Sequence, residues 1–399
     1  MTANVGRSGP DVRSDCRVEL ELRTSGGVEF HLVSKVAALY GRDIERQCRS
    51  MLAEWGVLHC RLSLYDAGAL SFIIAARLEC ALRRSGLTPG PSTAPLRPTA
   101  DYPSHRDRLR RSRLYLPGNE PKFFLNAGLH RPDVVILDLE DSVSPSEKDA
   151  ARILVRNALL TVNFYGAERS VRINQGERGF DDLREMVPTR PHSILIPKVE
   201  TAEQVEAVDR CIREIRSSSD KLASDNDDAK RDIFLVPIIE SARGGLNAAS
   251  IATASPHIVS LAIGLEDYTA DIGARRSKDD RESDWLRSQV LNAARAAGIE
   301  PSDSVFSDIA DDAGLFASAR EARDRGFDGK GCIHPRQIGI IHRAFAPEPR
   351  EVEQAQRIVE AFAAANRQGL GVVALGSKMI DPPVVKRAER ILKIAEGGC

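Results

Sequence analysis

The sequence predicts an α/β chain, a (β/α)8 TIM barrel preceded by a small α+β domain, and three observations carry that expectation. From about residue 108 onward, eight short apolar runs alternate with helix-length stretches. Most of those runs end in charged residues, as the catalytic rim of such a barrel does. Ahead of them, a stretch rich in Pro, Gly, Ser and Thr over residues 86–107 cuts off the first 85 residues.

The N-terminal part, residues 1–85, reads as α+β. CRVELELR (16–23) and VEFHLVS (28–34) alternate as strands joined by a Ser-Gly-Gly turn. Residues 40–55 form a helix with Ile44, Cys48, Met51 and Leu52 on one face. CRLSLYD (60–66) is a third strand. Ala67 to Arg84 is a second helix with a broad apolar stripe. GLTPGPSTAPLRPTADYPSH then reads as an extended linker, because proline removes donors and fixes φ.

The body, residues 108–399, supplies the eight runs: 113–118, 134–141, 170–174, 193–200, 234–241, 259–267, 305–309 and 329–335. Runs apolar on both faces suit parallel strands covered by helices. A polar stretch at 217–231 reads as a surface excursion.

Composition narrows the function. With 56 Lys and Arg against 57 Asp and Glu, the formal charge is −1, which gives no electrostatic case for nucleic acid or an anionic membrane. No apolar run reaches the ~20 residues that cross a bilayer, and the N-terminus lacks a secretory signal. The seven cysteines are scattered, with no Cys-x-x-Cys spacing, which points to a cytoplasmic protein with reduced thiols.

Chemistry is expected at the strand ends. Run two closes with Asp138, Glu140 and Asp141; run three carries Arg172 and Asn174; run four ends in Lys198 and Glu200. Run five ends in Glu240, run six in Glu266 and Asp267, and run eight in His334. A polar strand end is often a helix cap, a reading that suits Ser142 and Ser241. So many charges on one rim ask for a counter-ion or substrate. Glu240 and Asp267 on neighbouring strands make an economical magnesium site, since magnesium takes hard oxygen ligands and keeps several waters. Arg172 offers a planar fork for a carboxylate, so metal and arginine together fit a 2-oxo or 2-hydroxy acid. Lys198, Glu200 and His334 stay open between site support and rim ion pairs.

These residues carry a resemblance. The segments RSRLYLPGNEPKF, VVILDLEDSVSPSEK, VRIN, LIPKVETAEQV, PIIESARGGLNA, LAIGLEDYTADIG, GFDGKGCIHPRQI and SKMIDPPVVKRAERIL run in order from about Arg111 to Ile394. Together they resemble the citrate lyase beta subunit and its relatives, the malyl- and citramalyl-CoA lyases. The resemblance implies an oligomeric barrel, a homotrimer or larger, that cleaves or forms a carbon–carbon bond between an oxo acid and an acyl-thioester enolate. It implies Glu240 and Asp267 as magnesium ligands and Arg172 as the substrate-carboxylate arginine. Glu140 and Asp141 become the acidic pair beside the metal, with Gly264, Leu265 and Glu266 lining the substrate. Asp381 becomes the general acid/base on a C-terminal lid of about 365–399, often serving a neighbouring subunit. Many relatives read Asp-Gly-Lys-Met-Ile-Asp there; this chain reads Gly376-Ser377-Lys378-Met379-Ile380-Asp381.

The N-terminal part has its own resemblance. YDAGALSFIIAARLECALRR and SGPDVRSDCRVEL are similar to the citrate lyase acyl carrier (gamma) subunit. That implies a phosphopantetheine-type arm, phosphoribosyl-dephospho-CoA, on Ser14, with Ser8 as second match, and an acyl or CoA transferase subunit as partner. Backbone amides at 117–119 would contact the thioester arm. The competing readings are a free acyl-CoA lyase, synthase or thioesterase with a vestigial carrier, a non-catalytic scaffold, and a phosphoenolpyruvate-using barrel.

Overall fold

The computed structural model describes residues 2–88, 96–220, 231–277, 280–367, 369, 371–376 and 378–396. The middle of the expected linker (89–95), most of the expected surface excursion (221–230) and Ser377 lie outside the described residues. The excursion's first residues belong to the helix Ala202–Asp220.

The N-terminal domain is a four-stranded sheet in the order β1-β2-β4-β3, built from β1 (Thr2–Gly6), β2 (Cys16–Leu22), β3 (Val28–Ser34) and β4 (Cys60–Asp66). It carries helices α1 (Ala37–Glu54) and α2 (Ser71–Arg84). Two features differ from the sequence reading. β1 is an added strand, antiparallel to β2, that buries Ala3 and Val5. β2 and β3 are not a hairpin, because β4 lies between them, antiparallel to β2 and parallel to β3. The segment from β3 to β4 contains α1 and is long enough for a crossover, which parallel strands require. α2 starts later than expected because Asp66 Oδ1 accepts from the N–H groups of Gly68 and Ala69, at 2.9 and 2.7 Å. This turn holds Gly68 at φ +84°, a conformation glycine adopts without strain.

Eight parallel strands close the barrel: β5 (Ser112–Pro117), β6 (Val134–Asp138), β7 (Glu168–Arg172), β8 (Ser193–Ile196), β9 (Phe234–Ile239), β10 (Ser260–Ile263), β11 (Glu300–Asp303) and β12 (Gly329–Cys332). The seventh strand is not the expected 305–309 but the polar segment Glu-Pro-Ser-Asp just before it. Apolar patterning missed it because ion pairs satisfy its buried side chains. Asp303 accepts from Lys330 Nζ at 2.7 Å and from Arg287 Nη2 at 3.1 Å. Inside the barrel, Val134, Ile136, Leu195, Phe234, Val236 and Ile238 form an apolar plug.

The second half of the expected linker is not free chain; it closes the barrel floor. Tyr102 Oη donates to Ala167 O, and Arg106 donates to Pro256 O and Ile258 O. Arg110, fully buried, bonds Glu168 at the start of β7 and Glu300 at the start of β11. After β12 the chain forms the helix Pro349–Arg367, a hairpin of β13 (Val373–Leu375) and β14 (Lys378–Ile380), and the helix Pro382–Glu396. These share a small core that includes Ala355, Ile358, Ile380, Val385 and Ala388. No helix among the described residues is long and apolar enough to cross a membrane, and the six described cysteines carry free thiols.

The floor carries an acid-sensitive joint. His192 Nδ1 accepts from Arg169 N at 3.0 Å, and its Nε2 faces Tyr102 O at 2.6 Å. Burial, then the Arg169 charge, pushes its pKa down to about 3. The folded state therefore resists a proton that the unfolded chain accepts near 6.5, so stability falls as pH drops from about 6.5 toward 3. The span corresponds to a loss on the order of 3 to 5 kcal/mol. Urea midpoints measured across that range should fall for the wild type and flatten for His192→Gln. Parallel slopes in the two proteins would refute the assignment.

Candidate active site

The C-terminal ends of the strands open into a cavity of about 440 Å³. Its lining includes Asp138, Asp141, Arg172, Glu240, Gly264, Leu265, Glu266 and Asp267, which the sequence had singled out, and also Tyr115.

Glu240 follows β9 directly and is nearly completely buried. Its Oε1 accepts from the backbone N–H of Lys198 at 2.7 Å. Its Oε2 lies where a side chain at Gly264 would stand, since a Cβ there would sit 2.2 Å from that oxygen. A glycine is thus required for the carboxylate to lie in this cradle. Burial, together with the charge of Asp267, drives the Glu240 pKa up to about 8 although the Lys198 amide works against it. Such a carboxylate is short of positive charge.

Asp267 stands not on a strand end, as expected, but in the first turn of the helix Leu265–Asp271, where the helix N-terminus favours an anion. Lys198 fills the space between the carboxylates. Its Nζ lies 3.5 Å from Glu140 Oε1, 3.5 Å from Asp141 Oδ1 and 3.4 Å from Asp267 Oδ1. Its backbone takes φ +50°, a left-handed conformation that is costly for a non-glycine residue and that accompanies the amide's contact with Glu240. Burial opposes the ammonium charge, yet the carboxylates of Glu140, Asp141 and Asp267 raise its pKa.

Arg172 closes β7. Its Nε and Nη2 make a two-pronged bond to Asp138 at 2.6 and 2.7 Å, its cross-strand partner in the β6–β7 register. Nη1 lies 3.0 Å from Glu140 Oε2, and the guanidinium stacks 5.4 Å from the Tyr115 ring centre. One edge of the fork is therefore committed to the protein, leaving the remaining Nη donors for the cavity. Burial raises the Glu140 pKa against the opposing charge of Arg172, and Oε2 has no hydrogen-bond donor aligned on it. Gln175 Nε2 donates to its Oε1 at 3.0 Å.

The other sequence candidates separate cleanly. Glu266 lines the cavity but turns its carboxylate toward Arg276, 3.5 Å away. Asn174 is bound to Asp182, and Glu200 accepts from Ser241 Oγ at 3.0 Å. Ser241 caps the helix Ala242–Leu246 as expected; Ser142 caps nothing, its amide donating to Asp138 instead. His334 caps the helix Pro335–Phe345 within a capping box. Asp381 is absent from the cavity lining, and its Oδ1 caps its own helix through Val384 N at 3.1 Å. That helix is held toward the barrel floor, where Arg390 bonds Gly326 O and Asp328 just before β12. Ser14 sits at φ +55° in the N-terminal domain, its amide donating to Ala67 O at 3.1 Å.

Sequence reasoning missed three features: Asp138 as the anchor of Arg172, Lys198 as the central cation, and the cradle that Gly264, expected only to line the substrate, makes for Glu240. Opposite charges at the ends of the neighbouring strands β6 and β7 would have flagged the first; nothing local signals the other two.

Among the described residues, no group of three or more His, Cys, Asp and Glu side chains is arranged to hold a metal. Magnesium does not ask for one, since one or two carboxylates and several waters suffice. The cradle at Gly264 and the carboxylate-rich rim fit such an ion, with Glu240 and Asp267 as the residues that would hold it.

Both parts of the chain resemble known proteins. The family model for HpcH/HpaI aldolase/citrate lyase matches residues 111–335, and the model for the malonate decarboxylase delta subunit, an acyl carrier type, matches residues 6–85. Citrate lyase subunit beta of Leuconostoc mesenteroides subsp. cremoris is 37% identical over 73% of this chain and 95% of its own length. The (3S)-malyl-CoA thioesterase of Cereibacter sphaeroides is 35% identical over 73% of this chain and 97% of its own. The crystal structure of protein CitE from Mycobacterium tuberculosis, in complex with magnesium, acetoacetate and coenzyme A, superposes with a TM-score of 0.58 at 33% identity, covering 73% of this chain and 100% of that one.

Proposed function

This chain belongs to the HpcH/HpaI aldolase/citrate lyase family and is a carbon–carbon lyase, and from that premise we propose that it reversibly cleaves a 3-hydroxy-acyl thioester of the citryl, malyl or citramalyl type into an oxo acid and an acyl thioester, using an acyl group carried on its own Ser14. The observation that carries the site assignment is the Glu240 cradle, which joins a buried, charge-starved carboxylate, Asp267 and Arg172 around one cavity.

Glu240 and Asp267 would hold a magnesium ion, which when bound would supply Lewis-acid stabilisation of developing negative charge in the cavity. The protein's own residues do the rest. Arg172, locked by Asp138 and with Nη1 beside Glu140, presents to a substrate carboxylate the Nη hydrogens those partners do not take, and fixes the acid's orientation. Glu140, whose burial raises its basicity, takes the hydroxyl proton. The C–C bonding pair then moves onto the thioester fragment as an enolate, and the hydroxyl carbon becomes the oxo acid. Asp381 returns a proton to the enolate carbon. Within one chain Asp381 caps its own helix and does not line the cavity, which supports the reading that it serves the cavity of a neighbouring subunit in a homotrimer or larger assembly. Glu266, Gly264 and Leu265 shape the wall where the acid lies.

The test uses protein purified from its own host. Intact mass should show a phosphopantetheine-sized adduct on Ser14, and the acylated protein should release an oxo acid when given magnesium. Citryl-, malyl- and citramalyl-CoA are assayed alongside it. Turnover of the CoA esters with an unmodified Ser14 would replace the carrier reading with a free acyl-CoA lyase or thioesterase, a reading that the 35% identity to a malyl-CoA thioesterase favours. No oxo acid from any of them would overturn the lyase assignment of the site.

A further inference from the structure

Helix α2 carries the argument. Its residues Phe72 through Leu82 are all buried, including Arg77 and Glu79 at 1% exposure each. A helix buried on every face belongs to a core. One side of α2 covers the N-terminal sheet; the other packs along the barrel helix Lys148–Thr161.

Ion pairs pin this second side in place. Glu79 accepts from Arg156 Nη1 and Nη2 at 2.9 and 2.5 Å and from Arg83 at 2.6 Å. Glu185, from the barrel helix Gly176–Met186, accepts from the same two arginines at 2.8 and 2.7 Å. Two residues come from each domain, so the network alternates in charge across the junction. Arg84 adds a two-pronged bond to Asp149 at 2.8 and 2.6 Å, and Asn157 donates to Phe72 O at 3.2 Å.

The Ser14 end is tied to the barrel mouth as well. Asp15 is buried and takes two bonds from Arg77, each 2.9 Å. Arg77 Nη2 also donates to Asn119 O at 3.3 Å, and Arg7 pairs with Glu120. Asn119 lies two residues beyond Pro117, which lines the active-site cavity. The serine is therefore rooted beside the rim through a short chain of contacts.

We propose that the N-terminal domain is a fixed carrier. It stays docked on the barrel, the arm rooted at Ser14 is the moving part, and Arg77 is the positioning residue that seats the root at the mouth. The arm's role rests on the reading of Ser14 given above; the docking does not. A tethered domain would derive its effective concentration from the linker. Here the docked interface sets the reach, and the covalent connection through 89–95 is dispensable. An enzyme that charges the arm must come to this chain, because the carrier does not travel to it.

The experiment replaces residues 89–95 of the full chain with a protease site, cuts it, and runs gel filtration at micromolar concentration. The two halves are expected to co-elute. Halves that separate overturn the proposal. Glu79→Arg should split the cut protein, and Glu79→Arg with Arg156→Glu should rejoin it. If the Glu79→Arg halves stay together, the hold does not reside in this cluster. Turnover of the arm-bound acyl group should stay within twofold after the cut, whereas a tethered carrier would lose tenfold or more on dilution. Absence of arm-bound turnover before the cut defeats the Ser14 reading alone, since co-elution still decides the docking.

Discussion

Glu240→Gln should abolish magnesium binding and lower turnover by about 10³-fold or more, the scale expected when a group needed only in the transition state is removed. Gln keeps the shape and the amide contact from Lys198, so the change removes charge and little else. The stability readout has the opposite sign. Burial holds the Glu240 pKa up at about 8, so without a cation the folded state binds its proton more tightly than the unfolded chain does. The wild type then loses stability as pH rises from about 4.5 through 8, and the Gln variant does not. Above that range the inactive variant should be the more stable protein when magnesium is withheld. Magnesium should raise the melting temperature of the wild type and leave that of the variant unchanged.

Gly264→Ala reaches the same site without touching a ligand. Its methyl would lie 2.2 Å from Glu240 Oε2, so the carboxylate must leave its cradle. Loss of magnesium affinity is expected in both variants. A magnesium-induced rise in melting temperature in either one would remove Glu240 from the metal site.

The barrel was legible because β6, β8, β9 and β10 are mainly apolar and buried throughout, which is the signature of a buried parallel sheet. β11 was not, since Asp303 is neutralised by Lys330 and Arg287, residues far away in sequence. The order of the N-terminal sheet was hidden for a related reason: alternation locates strands, but α1 between β3 and β4 decides who pairs with whom. Among the site residues, those contributing charge at a strand end stood out. Residues acting by backbone or by lack of a side chain did not. Lys198 reads as one more rim charge until its amide is seen on Glu240, and Gly264 reads only as a lining residue until the carboxylate beside it is placed. Asp381 is the reverse case, a position drawn from resemblance whose place in one chain is a helix cap.

Arg172→Lys should raise KM for the acid by about 100-fold or more, with a smaller effect on kcat, because the change withdraws the bond that orients the substrate. The substitution keeps the charge, so simple electrostatics would forecast a mild effect. The geometry forecasts otherwise. Asp138 is 1% exposed and takes two aligned bonds from Arg172. An ammonium is a point charge that cannot match both oxygens and also reach the cavity. Drawn to Asp138, it leaves the cavity without its carboxylate donor. Drawn to the substrate, it leaves a buried carboxylate unpaired, which costs about 3–5 kcal/mol. Asp138→Asn in the Lys background separates the two. The amide needs no counter-charge, so stability should recover and the ammonium is released to the cavity. KM should stay well above the wild-type value, because a point charge cannot grip the substrate carboxylate as the fork does. Recovery of KM to the wild-type value along with stability would mean that the fork of Arg172 is not what orients the acid, since a single ammonium would then serve as well.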